Sequence, residues 1–180
     1  MNAAQIIQQV DESILGPTMK RHQSAQDLET PDEFIHAVER KFALFSWDLA
    51  CRTENCKAPQ GITYPHADSL QVDWHKLRNP FDSRLKALLW LNPPFDPITP
   101  WVQKCTAESQ LGAEILLLSQ ASVDSNWFWS YVYPYATVYT IDRIRFVGQQ
   151  HVYPKPLILS HYAPGNGFNP LRRWRWKEDA

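Results

Sequence analysis

The residue types with the clearest chemistry are Asn92-Pro93-Pro94-Phe95. The side-chain oxygen of Asn92 can accept one hydrogen of an amine, and the carbonyl of Pro93 can accept the other. An exocyclic amine conjugated to a purine ring is a poor nucleophile, because its lone pair is delocalised into the ring. Holding both hydrogens favours a tetrahedral nitrogen and frees the lone pair for attack on a methyl donor. Phe95 can stack on the ring and hold it square to that donor. No ionised base is needed at the start, since the proton can leave after the methyl group arrives. Asn-Pro-Pro is equally an ordinary loop start and Phe95 an ordinary core residue, so the motif gains its meaning from placement.

Placement favours the site. Leu88-Leu89-Trp90-Leu91 precedes the motif and reads as a strand buried on both faces, as in a parallel sheet. Pro93 and Pro94 cannot donate to a ladder, so the strand ends there. Asn92 precedes a proline and is biased to an extended conformation. The carboxyl ends of strands are where open α/β sheets bind ligands.

The elements around that strand follow in order. Residues 1–29 are polar and Gln-rich, with one short amphipathic pattern over Ile6, Ile7, Val10 and Ile14, broken at Gly16-Pro17. Thr30-Pro31-Asp32-Glu33 is a helix start, with Thr30 as N-cap, Pro31 at the first helical position and Glu33 closing a capping box. Residues 43–49 read as a strand ending near Asp48, where an acid can sit beside a nucleoside. No Gly-x-Gly-x-x-Gly follows, so a dinucleotide pyrophosphate site is not expected. Residues 56–86 read as an irregular, Pro-containing loop, a length that is often functional.

Residues 97–110 predict a helix ended by Gly112, and residues 113–118 a second apolar strand, giving a βαβ-like unit. A further helix opens near Ser122 or Asp124, carries Trp127 and Phe128, and ends near Pro134. Residues 136–141 read as a strand. Residues 143–147 and 156–162 read as two more, paired across the intervening turn. Arg143 and Arg145 alternate and would share one face. Arg172-Arg173-Trp174-Arg175-Trp176-Lys177 mixes charge and aromatics, which suits a nucleic-acid backbone or a solvated tail.

Composition sets outer bounds. The chain has 180 residues, 44% of them hydrophobic and 13% aromatic, which excludes a wholly disordered chain. The net charge of -1 means that binding to nucleic acid needs a local basic patch, for which Arg143, Arg145, Lys155, Arg172 and Arg173 are candidates. Cys51, Cys56 and Cys105 are too few, and odd in number, for a disulfide framework, which fits a reducing compartment. No Cys or His pair completes a zinc set beside them, so no metal is expected. The N-terminus carries no signal pattern and no apolar run spans a membrane, so a cytoplasmic protein is expected.

The ordered set Thr30-Pro31, Asp48-Leu49-Ala50, Asn55, Asp68-Ser69-Leu70, Trp74, Asn92-Pro93-Pro94-Phe95, Trp127-Phe128 and Arg143-Ile144-x-Phe146 resembles the phage-type DNA N6-adenine methyltransferases, the Dam family of phages and prophages. The resemblance covers about residues 28–162. Leu28-Glu29 stand where such proteins often carry an aromatic, and Asp142 leads Arg143 where Gly is common.

The resemblance implies an α/β fold: a Rossmann-like S-adenosylmethionine-dependent methyltransferase sheet, here with a C-terminal β-hairpin. It implies Asn92, Pro93, Pro94 and Phe95 as the catalytic motif, and Thr30, Pro31, Asp48, Leu49, Ala50 and Asp68 around the cofactor. Trp127 and Phe128 would line the base pocket or, as ordinary helix residues, the core. The expected partner is double-stranded DNA. The expected organisation is an extension over 1–29, a methyltransferase domain over 30–165 and a basic, aromatic tail over 166–180. The same turn chemistry also suits RNA bases or a protein amide, and a non-catalytic nucleic-acid-binding relic of the fold is the remaining alternative.

Overall fold

The computed structural model describes residues 28–165 and 171–179. The expectations for residues 1–27, including the amphipathic pattern near Ile6, lie outside the described residues. Helix α1 spans Asp32–Lys41. Strands β1 (Trp47–Cys51) and β2 (Gln60–Thr63) follow. Then come β3 (Leu88–Leu91), α2 (Thr99–Gln110), β4 (Glu114–Gln120), a π turn over Phe128–Val132, β5 (Ala136–Ile141), β6 (Leu157–Tyr162) and β7 (Arg172–Trp174).

The strands form one seven-stranded sheet in the order β2-β1-β3-β4-β6-β5-β7. Among the described strands only β6 runs against its neighbours; the remaining pairings are parallel. Burial follows the two-residue period of strands. Leu89, Leu91, Ile115 and Leu117 enter one core, covered by α2 and the π turn. Leu88, Trp90, Leu116 and Leu118 enter the other, covered by Phe34, Ile35 and Val38 of α1 and by Ile144, Phe146 and Trp176. A sheet buried on both faces explains the continuous apolar runs 88–91 in β3 and 115–118 in β4. The architecture is Rossmann-like, three layers of α/β/α.

Several expectations are corrected. The first strand starts at Trp47, not residue 43, so Asp48 lies within it, opposite Trp90 on β3 and Gly61 on β2. Leu44 is solvent-exposed, and pairing begins where the Ser46 N–H donates to the Leu88 carbonyl at 2.8 Å. The span 56–86 is not wholly irregular. It contributes the edge strand β2 and short 3-10 turns over Ser69–Gln71 and Trp74–Lys76. Cys51 and Cys56 are joined in a disulfide, against the expectation from cysteine count, and Cys105 is free and buried. A Cβ on Gly61 would lie 2.6 Å from both bonded sulfurs, so this β2 position accepts no side chain.

The C-terminal part also differs. Residues 143–147 form no strand. They carry no regular secondary structure and enter a turn at Val147, with Ile144 and Phe146 buried and Arg143 and Arg145 exposed. The antiparallel partners of β6 are therefore β4 and β5, and the expected hairpin does not form. Backbone bonds still tie this segment down: the Tyr153 N–H donates to the Ile144 carbonyl at 2.8 Å and the Val147 N–H to the Glu29 carbonyl at 2.9 Å. The expected tail supplies the edge strand β7 beside β5 and buries Trp174 and Trp176 in the α1-side core. The expected helix after Ser122 is short, ending in a π turn closed by the Tyr133 N–H and the Phe128 carbonyl at 2.9 Å.

Candidate active site

The chain leaves β1 towards β2 on one side, then crosses to place β3 on the other side of β1. Strand order reverses between β1 and β3, and a crevice forms outside the carboxyl ends of strands at such a reversal. Asn92 is the first residue beyond β3. It therefore stands at the mouth of that crevice, as its position after an apolar run predicts.

Its side chain is held by the segment before α1. Asn92 Nδ2 donates to the Leu28 carbonyl at 2.8 Å and to Thr30 Oγ1 at 3.0 Å. A backbone carbonyl only accepts, so Leu28 fixes which end of the amide is nitrogen. Both N–H groups are used, and among the described residues Oδ1 has no hydrogen-bond partner. Thr30 is 2% exposed and does not cap α1. The cap position falls to Pro31, without a side-chain bond, and the expected capping box is not formed. Asp32 and Glu33 still place negative charge in the first turn, where the helix dipole favours it.

The 28–32 segment is itself tied to two other loops. Lys57 Nζ, largely covered, reaches Glu29 Oε1 at 2.7 Å and Asp32 Oδ1 at 2.8 Å. Burial pulls the Lys57 ammonium down, but the two carboxylates outweigh it and leave its pKa above the usual value. The Val147 N–H holds the Glu29 carbonyl. An open groove of about 360 Å³ runs between residues 31–33 and residues 145–149. Pro31 and Arg145 both line it.

Asp48 is 3% exposed. Its Oδ1 accepts from the Ala50 N–H at 3.1 Å and its Oδ2 from the Lys57 N–H at 3.0 Å. Burial pushes its pKa up to about 6, against these bonds and the Lys57 charge. Its carboxylate thus organises the chain leaving β1. Leu49 is buried in the α2-side core, and Ala50 is half-buried. Asp68 follows β2 and is exposed; its Oδ1 caps the 3-10 turn by accepting the Leu70 N–H at 3.0 Å.

Phe95 is 9% exposed and meets Tyr153 edge-on, with ring centroids 5.8 Å apart. Tyr153 is fixed in turn by Phe146, 5.6 Å away, and by Gln120, whose Nε2 donates to its hydroxyl at 2.6 Å. Lys155 Nζ donates to Oε1 of the same Gln120 at 3.4 Å, which brings Lys155 to the carboxyl end of β4. Tyr153, Gln120 and Lys57 are additions to the site that no local pattern marks.

The remaining candidates lie elsewhere. Phe128 is buried in the α2-side core, and Trp127 is partly buried against that core. Arg172 and Arg173 are exposed on β7, four strands from β3, or roughly 19 Å at the usual strand spacing. Among the described residues no group of three or more His, Cys, Asp or Glu could hold a metal ion, and no helix is long and apolar enough to cross a membrane.

Comparison with known proteins adds three findings. No curated protein matches the chain. Among solved structures, a predicted O-methyltransferase, protein Atu636 from Agrobacterium tumefaciens, is similar at 14% identity and a TM-score of 0.31, over 64% of this chain. The chain spans about half of that protein's length, 51%. A model of the family described as DNA N-6-adenine-methyltransferase (Dam) matches residues 18–154, a stretch that includes Thr30, Asp48, Asn92-Pro93-Pro94-Phe95 and Tyr153. With most of its length matched in this way, the chain belongs to the DNA N-6-adenine-methyltransferase (Dam) family.

Proposed function

We propose that the protein methylates the exocyclic N6 amine of adenine in double-stranded DNA, with S-adenosylmethionine as donor. The observation that carries this reading is the Asn92 amide. Its nitrogen is committed to Leu28 and Thr30, and its oxygen remains to accept from an amine at the mouth of the β1/β3 crevice.

The residues of the crevice suit the donor molecule. Asp68 offers a second carboxylate oxygen past β2, where ribose hydroxyls are bound in folds of this kind. The half-buried Ala50 leaves room beside the end of β1. S-adenosylmethionine, when bound, supplies the electrophilic methyl group. Asn92 Oδ1 and the Pro93 carbonyl accept the two amine hydrogens and turn the nitrogen lone pair towards that group. Most of the acceleration comes from this alignment. The proton leaves afterwards, so the site needs no ionised carboxylate next to the amine, and Asp48 is too deeply tied to serve as one.

An adenine inside a duplex cannot reach such a turn, so the base must leave the stack. Arg145 on the groove wall and Lys155 beside Gln120 are exposed basic residues available to phosphate. Arg143 is exposed on the same segment, whereas Arg172 and Arg173 would contact only DNA that extends across the sheet.

The test is methyl transfer from labelled S-adenosylmethionine to unmethylated duplex DNA, read by nucleoside mass spectrometry. N6-methyladenine, reduced about a hundredfold or more by Asn92→Ala, is the expected result. Product on RNA or protein alone would move the substrate, and undiminished turnover by Asn92→Ala would overturn the role of the motif.

A further inference from the structure

Resting on the methyl-transfer reading above, we propose that Thr30 is a positioning residue for Asn92. Its hydroxyl sets the angle of the catalytic amide instead of touching the cofactor. Three observations converge. Thr30 Oγ1 accepts Asn92 Nδ2 at 3.0 Å. Thr30 is 2% exposed, so water cannot replace the hydroxyl cheaply. Its side chain is absent from the helix cap that a Thr before Pro would otherwise make.

The division of labour between Leu28 and Thr30 follows from their chemistry. The Leu28 carbonyl, at 2.8 Å, decides which end of the amide is nitrogen. One bond leaves the amide free to rock about it. The second bond, to Thr30, removes that freedom and fixes the direction of Oδ1. A hydrogen-bond acceptor for the target amine is useful only along a narrow range of directions, and small misplacements of a reacting group cost rate steeply. The 28–32 segment can act as a fixed reference because Lys57 holds Glu29 and Asp32 while Val147 holds the Glu29 carbonyl.

The chemistry distinguishes this from a cofactor contact. Thr30→Val keeps the shape and removes the acceptor; Thr30→Ser keeps the acceptor and removes a methyl group. For the full chain acting on duplex DNA, Thr30→Val is expected to lower kcat by about tenfold or more. The affinity for S-adenosylmethionine, measured by calorimetry, and KM for DNA should stay within about twofold, and Thr30→Ser should restore most of kcat. Independently of turnover, the Asn92 side-chain amide resonances, assigned through Asn92→Gln, should shift and exchange faster with water in Thr30→Val.

An unchanged kcat in Thr30→Val, or a kcat loss accompanied by an equal loss of cofactor affinity, would overturn the proposal. Wild-type protein that methylates no DNA would instead overturn the methyl-transfer reading. The Asn92 resonances would then still decide whether Thr30 holds the amide: unchanged shifts and exchange in Thr30→Val would sink that claim by themselves.

Discussion

The backbone N–H of Lys57 donates to Asp48 Oδ2 at 3.0 Å, so the first buried carboxylate of the sheet is bound by the loop that also carries the Lys57 ammonium. The ionised form is nevertheless disfavoured, because burial outweighs the bonds and brings the Asp48 pKa to about 6 from 3.8. A carboxyl whose pKa is raised on folding contributes stability at low pH and loses it as pH rises through the folded value. Wild-type protein should therefore gain roughly 1 kcal/mol relative to Asp48→Asn between pH 7 and pH 5. Urea unfolding of both proteins at the two pH values checks this. Parallel stabilities would show that Asp48 titrates as an ordinary carboxylate.

The Lys57 side chain predicts a second effect. It bridges Glu29, at 2.7 Å, and the more exposed Asp32, at 2.8 Å. The exposed arm contributes little, whereas losing the arm to the half-covered Glu29 strands a charge. Lys57→Met should cost about 1–2 kcal/mol. It should also lower kcat with no change in the reaction product, since the segment that orients Asn92 loses an anchor. Chemical denaturation together with steady-state kinetics would test this; a variant within a few tenths of a kcal/mol of wild type would show the bridge to be ornamental.

Cys51 and Cys56 close a short loop at the end of β1. The chain-entropy account of so short a loop gives roughly 2 kcal/mol of stabilisation. Reduction by dithiothreitol should lower the urea midpoint by a corresponding amount, and Cys56→Ser should abolish the difference. Thiol counting under denaturing conditions should find Cys105 alone before reduction and all three cysteines after it. Three titratable thiols in protein never exposed to reductant would show that the bond does not form in solution.

Parts of this fold are legible locally and parts are not. The runs 88–91 and 115–118 are apolar at every position because both faces of β3 and β4 are covered. β2 escapes such reading because Gln60 and Gly61 carry no strand signal; Gly61 is there because two bonded sulfurs fill the space of a side chain. β7 looks like a solvated tail because Arg172 and Arg173 are exposed, while the burial of Trp174 and Trp176 against Phe34 depends on a distant helix. The candidate site shows the same division. Asn92 and its two prolines announce a strand end, but Thr30 suggests only a helix cap, since its partner lies 62 residues away. Tyr153 and Gln120 are joined across 33 residues, and no spacing rule reaches that far.

The contact between Phe95 and Tyr153 yields the last prediction. The rings meet edge-to-face at 68°, and Phe95 is only 9% exposed, so the aromatic of the motif is partly roofed by Tyr153. Tyr153 is held there by two different forces: aromatic packing on Phe146, and the hydrogen bond from Gln120. Tyr153→Phe removes only the second and should cost about 1 kcal/mol of stability. Tyr153→Ala removes both, at about 3 kcal/mol, and uncovers the Phe95 ring. If Tyr153 helps to seat the target ring, kcat/KM for DNA falls about tenfold in Tyr153→Ala and much less in Tyr153→Phe, with cofactor affinity retained in both. If Tyr153 instead only blocks the ring, Tyr153→Ala is the faster enzyme. Steady-state kinetics on one duplex, with unfolding curves to confirm that each variant is folded, separate these outcomes by the sign of the change.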